Sequence, residues 1–507
     1  MTKNAAISTP HHEATEAGWA VLNAGGSAVD AAIASAAVLS VVYPHNCSIG
    51  GDLVALVKDG ENPPECVMAV GRAPGATTVH DMRQTYGERM PARGAATLTV
   101  PGAPAGWERL HERYGRVKPA VLLKRAEELA NGYSLARSVT LAAAKAVGAG
   151  ELGAAIVSAL FGDSYELGKE VSNPALAETF RRMGSLGFQE FYRGETGEML
   201  LAFMRSHRAE FSSSDFESAF PETPAPLSHR VGEYKVYTSP APTQGFALIR
   251  LLENLPDPEL NNVDSISVVE AMQANARLCN YLRDSILHEN SQPDFYRGYS
   301  LDDLPPSRVP ELAAAPADGD TIGISCTDST GLSVSWIQSL YSHFGSYLMD
   351  PASGVVLQNR GTMFSLADER PNVIRAGAMP PHTLMPVMVT DQRDRIRYIQ
   401  STMGGKAQPQ IHAQVLLRQW EGESPSAALR APRWVMEMNG GIDTVSLEES
   451  VAPETRAYLC GSFSHKEEPD FSDSLGHMQL VTVDSTGVPI AASDPRSDGS
   501  ARYGKLQ

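Results

Sequence analysis

One residue, Thr321, stands where a hydroxyl could do covalent chemistry. It opens a predicted strand in which Ile322, Ile324 and Cys326 alternate onto the opposite face. A hydroxyl in this position can attack the preceding carbonyl and break the Asp320–Thr321 bond, and the freed α-amine can then act as the base of the hydroxyl. The residue types therefore permit self-cleavage and a threonine nucleophile. The alternative is a surface strand that begins with a β-favouring threonine.

A glycine pair is the second feature that could take part in catalysis. Gly404 and Gly405 follow a predicted strand at 395–401 and precede a predicted helix at 410–420. Backbone amides at such a turn can donate to the oxyanion of a tetrahedral intermediate. The alternative is that the glycines only permit the turn.

Several further elements must position these groups. A turn at 328–331 and a returning strand at 332–337 predict a hairpin that begins at Thr321. Strands are also predicted at 53–57 and 66–70, and the pattern from 106 to about 270 is helical. Ser27 and Asp30 predict a capping box at the start of a buried, alanine-rich helix. Residues 301–320 are rich in proline and acids, and we expect a poorly packed segment in which a self-cleaving chain could end its first fragment.

Short motifs along the chain occur in the order typical of one known family. They are AGGSAVDAAIA at 24–34, IGG at 49–51, RAP at 72–74, TVPGAPAGW at 99–107, TMGG at 402–405, GH at 476–477 and DPR at 494–496. With these motifs, the chain resembles the γ-glutamyltranspeptidase family of N-terminal-nucleophile hydrolases over nearly its whole length. The resemblance implies an α+β fold, a four-layer αββα sandwich, self-cleaved into a large fragment (1–320) and a small fragment (321–507) that stay associated. It also allows a homo-oligomer of the two-fragment unit.

The resemblance assigns roles to several of these residues. Thr321 would be the nucleophile, and Ser339 would replace a second family threonine that hydrogen-bonds it. Gly404 and Gly405 would supply the oxyanion hole. Arg72 lies near a family arginine that holds the α-carboxylate of the substrate, but alignment on the RAP motif places that arginine two residues earlier. A structural salt bridge is therefore the alternative role for Arg72.

The substrate-binding positions depart from those of the family's transpeptidases. Met363 stands where these enzymes carry an acid for the α-amino group, and Arg360 replaces a glutamine. A Ser-Ser pair that contacts the carboxylate becomes His382-Thr383, and an asparagine becomes Tyr341. A cation in place of the acid should favour an anionic acyl group without the amine, unless Arg360 serves only as an ion-pair partner. The chain thus resembles the amidohydrolase branch of the family, which includes oxamate amidohydrolase and glutaryl-type cephalosporin acylases.

These features together predict an amidohydrolase or acyltransferase that cleaves a small-molecule amide with a carboxylate-bearing acyl group through a threonine acyl-enzyme. Two alternatives stay open: a true γ-glutamyltransferase or glutathione hydrolase, and an uncleaved, non-catalytic binding protein of the same fold. No metal or organic cofactor is expected, because the sequence has no H-E-x-x-H, no Cys/His metal spacing and no Rossmann glycine motif in a strand-to-helix setting.

The amino-acid composition limits the expected binding partners and cellular compartment of the protein. The net charge of −17 over 507 residues argues against nucleic-acid and anionic-membrane partners. Five scattered cysteines favour a reducing compartment, and the N-terminal sequence lacks the apolar core of a signal peptide. We therefore expect a cytoplasmic protein. His11 and His12 are expected to form an exposed, solvated turn.

Overall fold

The computed structural model describes residues 4–256, 262–304, 320–439 and 442–507. Its strands are β1 (Asn4–Thr9), β2 (Asp52–Lys58), β3 (Glu65–Ala69), β4 (Tyr133–Ser134), β5 (Glu170–Val171), β6 (Leu227–Val231), β7 (Tyr234–Thr238), β8 (Asp320–Thr327), β9 (Ser333–Tyr341), β10 (Leu348–Met349), β11 (Val356–Leu357), β12 (Val387–Thr390), β13 (Ile396–Thr402), β14 (Trp434–Asn439), β15 (Ile442–Glu448), β16 (Ser464–Glu468), β17 (Met478–Val483), β18 (Pro489–Ser493) and β19 (Ser500–Lys505).

The helices cover the two outer sides of the strands. They are α1 (His12–Asn23), α2 (Ala28–Val42), α3 (Val79–Tyr86), α4 (Ala103–Tyr114), α5 (Pro119–Leu122), α6 (Lys124–Ala130), α7 (Arg137–Gly148), α8 (Glu151–Phe161), α9 (Pro174–Leu186), α10 (Glu190–Arg193), α11 (Glu195–Ser206), α12 (Ser213–Glu217), α13 (Gly245–Glu253), α14 (Ile266–Ser285), α15 (Gln408–Trp420), α16 (Pro425–Arg430) and α17 (Pro453–Ser462).

Two six-stranded antiparallel sheets form the centre of the molecule. The first has the order β19-β1-β8-β9-β2-β3 and the second β18-β17-β13-β12-β7-β6. One apolar core lies between the first sheet and its helices, another lies between the second sheet and its helices, and a third lies between the two sheets. This arrangement confirms the expected α+β, four-layer αββα sandwich.

The β8–β9 hairpin occupies the middle of the first sheet. Strand β8 pairs with β1, where Ile7 lies opposite Cys326, and β9 pairs with β2, where Asp52 lies opposite Ser339. All residues of both hairpin strands are buried. The predicted nucleophile is therefore carried by a central hairpin whose two neighbours come from the beginning of the chain.

The two faces of β8 divide as the alternation predicts. Ile322, Ile324 and Cys326 belong to the core under the helices. On the other face, a Cβ on Gly323 would lie 2.5 Å from the Ser401 carbonyl oxygen, and the Ser325 hydroxyl donates to Ser401 Oγ over 3.0 Å. Thr321 shares this second face, so it points toward the sheet that carries the Gly404-Gly405 turn.

Helix α2 supports the hairpin from the helical side. Ser27 and Asp30 form the predicted capping box, and every residue of α2 is buried. The Asp328 carboxylate accepts a hydrogen bond from the Ala28 backbone N–H over 3.2 Å, which ties the β8–β9 turn to the helix N-terminus. The carboxylate of Asp30 is thus a structural cap.

Two sequence expectations are wrong. The helical pattern expected from 106 to 270 is interrupted by the β6–β7 hairpin, which forms the edge of the second sheet and turns at Gly232 with a φ of 54°. His11 is buried rather than exposed, since it caps α1 and stacks on His12 with ring centroids 4.5 Å apart.

The expected cleavage segment falls largely outside the described residues. Residues 301–303 form a short 3₁₀ helix, and the structure resumes at Asp320, so the prediction for 305–319 lies outside the described part of the chain. No helix in the described ranges combines the length and the hydrophobicity of a membrane span.

Candidate active site

Three oxygen atoms form a hydrogen-bonded chain at the start of β8. The Thr321 hydroxyl donates to Ser339 Oγ over 3.1 Å, and the Ser339 hydroxyl donates to the Asp320 carbonyl oxygen over 2.5 Å. The Tyr341 backbone N–H donates to Ser339 Oγ over 2.7 Å, so this hydroxyl is held by one outgoing and two incoming bonds. Thr321 and Ser339 are both buried. The structure therefore brings these two predicted residues together.

The backbone around Thr321 is irregular. Asp320 pairs with Tyr341 while Ile322 pairs with Gln338, so the register of β8 against β9 shifts at Thr321. Tyr341 has a φ of 80°, which is unusual for a residue with a large side chain. Bulges and strained residues of this kind concentrate beside active sites, where they redirect side chains.

Arg360 lies beside this irregularity, in the 3₁₀ turn that follows β11, and its side chain is completely buried. Its guanidinium stacks on the Tyr341 ring at 4.1 Å from the centroid, and its Nη1 donates to Thr383 Oγ1 over 3.1 Å. Burial lowers the pKa of Arg360 to about 10, so the side chain stays cationic at neutral pH. Three of the predicted substrate-binding residues, Tyr341, Arg360 and Thr383, are therefore in contact.

One edge of the Arg360 guanidinium is unused. Among the described residues, Nε and Nη2 of Arg360 have no hydrogen-bond partner. The same edge of another arginine, Arg502, binds a carboxylate. Its Nε and Nη2 donate to the two carboxylate oxygens of Glu16 over 2.8 and 2.9 Å. Buried N–H groups without hydrogen-bond partners are costly, and the free edge of Arg360 has the donor geometry that pairs with a carboxylate.

His382 is committed to a different partner. Its Nε2 lies 3.0 Å from Asp52 Oδ2, and its Nδ1 accepts from the Leu384 backbone N–H over 3.4 Å. Burial, with the nearby Arg360 charge, lowers the pKa of His382 to about 4, so the ring is neutral at pH 7 and donates from Nε2. Among the described residues, His382 therefore hydrogen-bonds Asp52 and has no hydrogen bond to Arg360.

Gly404 and Gly405 form the turn expected between β13 and α15. Their φ values of 147° and 49° lie in the region that favours glycine, and a Cβ on Gly404 would lie 2.5 Å from Ile411 Cδ1. Across the described ranges, neither glycine amide donates a hydrogen bond to another residue. These amides are therefore available for a ligand oxygen.

Gln244 links the glycine turn to the arginine. Its Nε2 donates to the Gly405 carbonyl oxygen over 2.7 Å and to the Thr383 carbonyl oxygen over 2.9 Å. Because Thr383 in turn accepts from Arg360, one buried amide sets the spacing between Arg360 and the glycine turn.

A polar cleft that is open to solvent reaches Asp320, the residue before Thr321. Asp320, His343, Asn46 and Gly404 line it, together with Tyr43, His45, Ser138, Lys145, Met403, Glu437, Asp473, Ser474 and His477. In the part of the chain that is described, no group of three or more histidine, cysteine, aspartate or glutamate side chains could hold a metal ion. Asp320, which directly precedes Thr321, therefore lines a polar cleft.

Arg72 lies outside this arrangement of contacts. Its guanidinium pairs with Glu222 at 2.6 Å and Glu289 at 3.4 Å and donates to the Gly377 carbonyl oxygen over 2.9 Å. Its side chain is 36% exposed. These contacts match the alternative interpretation of Arg72 as a structural ion pair.

Four residues that touch the site escaped the sequence analysis: Asp52, Gln244, Asn46 and His343. Asp52 directly follows the IGG motif, whereas His343 lies beyond the predicted strand at 332–337 and beside none of the family motifs. Asn46 and Gln244 had no such signal, since only the fold brings them to the nucleophile and the glycine turn.

The αββα fold and a buried threonine at the start of a central strand define a class, the N-terminal-nucleophile hydrolases. The sequence model of gamma-glutamyltranspeptidase matches residues 14–504, and the chain belongs to this family. Together with the relatives described next, this membership makes the chain an amidohydrolase-type enzyme of that class.

Individual relatives cover almost the whole chain. It is similar to the oxamate amidohydrolase proenzyme of Klebsiella pneumoniae subsp. pneumoniae (30% identical, 97% of each chain) and to the glutathione hydrolase-like YwrD proenzyme of Bacillus subtilis (29% identical, 99% of this chain and 98% of the other). Among solved structures, it is similar to cephalosporin acylase from Bacillus halodurans, with a TM-score of 0.88 and 27% identity over 99% of this chain and 96% of that one.

Proposed function

We propose that the chain cleaves itself before Thr321 and that the new N-terminal threonine hydrolyses amides of a small acyl group that bears a carboxylate. The free Nε and Nη2 edge of the buried Arg360 carries this proposal. This edge is a preformed receptor for a planar anion. The Arg360 guanidinium contacts the Tyr341 ring, and the Tyr341 backbone N–H donates to Ser339 Oγ.

Self-cleavage follows from the hydrogen-bonded chain at Thr321. As Oγ attacks the Asp320 carbonyl carbon, its proton passes to Ser339 Oγ, and the Ser339 proton passes to the carbonyl oxygen. The carbon–nitrogen bond then breaks, the Thr321 nitrogen takes up a proton, and an ester joins Asp320 to Thr321 Oγ. Water hydrolyses that ester, which leaves a fragment ending at Asp320 and a fragment beginning at Thr321.

In the mature enzyme, the Thr321 α-amine acts as the base for its own hydroxyl. The hydroxyl attacks the amide carbonyl, and the Gly404 and Gly405 amides donate to the oxyanion. Arg360 and Thr383 hold the carboxylate of the acyl group, with Gln244 fixing their distance from the glycine turn. The amine leaves, an acyl-enzyme forms, and water releases the acid.

The charge of the site favours an acyl group without an α-amine. Met363 places a thioether, not an acid, 2.8 Å from the Tyr341 hydroxyl, and the nearby Asp52 carboxylate is engaged by His382. The similarity to an oxamate amidohydrolase and to a cephalosporin acylase supports this preference. The similarity to a glutathione hydrolase-like protein supports the competing γ-glutamyl substrate.

The first test is the intact mass of the denatured wild-type protein beside that of Thr321→Ala. We expect two fragments that meet at Asp320 and Thr321 in the wild type and one full-length chain in the variant. A single chain in both would remove the N-terminal base and leave a non-catalytic binding protein as the better interpretation.

Substrate choice is tested on the cleaved enzyme with oxamate, glutaryl anilide and γ-glutamyl anilide. We expect turnover of oxamate or glutaryl anilide at a higher kcat/KM than that of γ-glutamyl anilide. Turnover of the γ-glutamyl substrate alone would show that Arg360 does not select against the α-amine.

A further inference from the structure

The peptide groups of the glycine turn are held by their carbonyl oxygens. Oxyanion donors work best when they are fixed before the reaction, yet glycine has the freest backbone of any residue. Each amide N–H shares a rigid plane with the preceding carbonyl. The carbonyl before Gly404 belongs to Met403 and accepts from Thr402 Oγ1 over 2.7 Å. The carbonyl before Gly405 belongs to Gly404 and accepts from the Ala407 N–H over 2.8 Å. These local bonds orient the amides, but a contact from another element is needed to fix the position of the turn.

Arg283, near the end of α14, makes such a contact. Its Nη1 donates to the Lys406 carbonyl oxygen over 3.3 Å and to Gln244 Oε1 over 3.4 Å. The same nitrogen donates to Asn280 Oδ1 over 2.8 Å. With Oε1 turned to the guanidinium, Gln244 Nε2 faces the Gly405 carbonyl oxygen, to which it donates over 2.7 Å. Arg283 therefore contacts the turn directly at Lys406 and indirectly through Gln244.

Asp284 joins Arg283 to the side chain of Lys406. Arg283 Nε and Nη2 donate to the two carboxylate oxygens of Asp284 over 2.8 and 3.2 Å, and Lys406 Nζ donates to Asp284 Oδ2 over 3.0 Å. The Arg283 and Asp284 side chains are only 3% and 10% exposed. Burial opposes ionisation of Asp284, but the charges of Arg283 and Lys406 lower its pKa to about 2, so it is an anion at neutral pH. Lys406, the residue after the glycine pair, is thus bound at both its backbone carbonyl and its ammonium group.

The pairing of Arg283 differs from that of Arg360. All three guanidinium nitrogens of Arg283 donate to protein oxygens, whereas Nε and Nη2 of Arg360 have no hydrogen-bond partner among the described residues. Arg283 is therefore suited to hold groups of the protein, and Arg360 is suited to bind a ligand.

We propose that Arg283 is a positioning residue for the oxyanion donors of Gly404 and Gly405, a role that rests on the proposed function of this turn. Arg283 acts through Lys406 and Gln244, and it neither forms nor breaks a bond in the reaction. Helix α14 precedes the proposed cleavage point in the sequence, whereas the glycine turn follows it. The large fragment thus fixes the oxyanion donors of the small fragment.

The test compares the cleaved wild-type enzyme with Arg283→Met and Arg283→Lys, on whichever of oxamate and glutaryl anilide is turned over faster. We expect kcat to fall by about tenfold or more in both variants with little change in KM, because misplaced oxyanion donors weaken binding of the transition state alone. Arg283→Lys keeps a cation for Asp284 but lacks the planar fork, so it should be more stable than Arg283→Met and still lose kcat. Self-cleavage depends on Ser339, so fragments should appear at the wild-type rate in both variants.

Arg418 provides the matched control. It lies near the end of α15, the helix that follows the glycine turn, and its Nη2 donates to both carboxylate oxygens of Asp264, just before α14, over 2.9 and 3.0 Å. This ion pair joins the same two helices at their ends away from the turn. Arg418→Met should therefore lower stability and leave kcat unchanged.

Three outcomes would overturn the proposal. The first is a wild-type kcat in both Arg283 variants, and the second is an equal fall of kcat in Arg283→Met and Arg418→Met. The third is slow self-cleavage in the Arg283 variants, which would show that Arg283 acts on the whole fold. Failure of the proposed function has a separate signature, because the wild-type chain would then remain uncleaved or would release no acid from the amide.

Discussion

The Ser339 hydroxyl donates to the Asp320 carbonyl oxygen over 2.5 Å, so a donor already touches the atom that takes up charge when Thr321 attacks. Removal of one such donor typically slows a reaction by about 10²–10³-fold. We therefore expect Ser339→Ala to slow self-cleavage by about 10²-fold, and Ser339→Thr to retain most of the rate. A time course of intact mass after synthesis measures both.

Ser335 provides the matched control for this prediction. It lies on the same strand and face, and its hydroxyl donates to the Gln400 carbonyl oxygen over 2.8 Å, away from the Asp320–Thr321 bond. Ser335→Ala should lower stability and leave the cleavage rate unchanged. Equal slowing by the two alanine variants would mean that Ser339 acts by packing alone.

Replacement of Arg360 should separate stability from activity. Because its buried guanidinium has an unpartnered edge, Arg360→Met should raise the melting temperature of the cleaved protein. The same change should reduce kcat/KM for a carboxylate-bearing amide by about 10²-fold, as loss of a charge-assisted pair predicts, and spare an uncharged amide. Calorimetry and an anilide assay measure the two effects.

Arg496 is the control, since it is buried but fully paired with Glu448 and Asp494. Arg496→Met should destabilise the protein by about 3–5 kcal/mol, because it leaves the buried Glu448 carboxylate without its cation. A loss of stability in Arg360→Met would indicate that Arg360 already has a structural counter-ion.

A substitution in the glycine turn should lower activity by more than a loss of stability explains. Gly404→Ala would place a Cβ 2.5 Å from Ile411 Cδ1 at a φ of 147°, so the turn and its amides must shift. We expect kcat to fall by about 10²-fold or more. Gly487 also has a positive φ, 86°, but has open space around it, so Gly487→Ala should cost stability and leave kcat unchanged.

The buried histidines predict that the protein weakens in mild acid. The folded-state pKa of His382 is about 4 and the unfolded value is 6.5, so the unfolded chain binds a proton first as the pH falls. The stability due to neutral His382 is complete above about pH 6.5 and is lost toward pH 4, at up to about 1.4 kcal/mol per pH unit. His11 and His412, with pKa values lowered to about 3 by burial, act in the same direction.

Melting temperatures between pH 8 and pH 4.5 test this dependence. His382→Gln keeps a donor for Asp52 but cannot take up a proton, so its melting temperature should fall less steeply between pH 6.5 and 4.5 than that of the wild type. Parallel curves would show that His382 contributes no linked proton.

Local patterns were enough to predict the hairpin and the partition of its faces. Alternation assigned Ile322, Ile324 and Cys326 to the core, and the glycine pair marked the β13–α15 turn. The strand pattern depends on a hydrophobic period of two, and the turn depends on the backbone freedom of glycine. Both signals come from residues that are adjacent in the sequence. The β6–β7 hairpin was missed because it is a short edge element within a long helical region, with one glycine as its turn signal.

The arrangement of the binding residues could not be predicted in the same way. Arg360 and Thr383 were both named, but only the fold shows that Thr383 contacts the guanidinium while His382 turns to Asp52. Gln244 joins two segments more than a hundred residues away through carbonyl oxygens, a contact that no side-chain pattern signals. Such long-range polar contacts depend on how the two sheets stack.

The position of β8 and β9 between β1 and β2 determines what a cut before Thr321 can do. Both large sheets combine strands from before and after that bond. Strands β2, β3, β6 and β7 precede the bond in the sequence, whereas β12, β13, β17 and β18 follow it. The two fragments of a cleaved molecule therefore share both sheets, and their separation requires global unfolding. Two isotopically distinct preparations, mixed after cleavage, should keep their original pairs for the lifetime of the folded state.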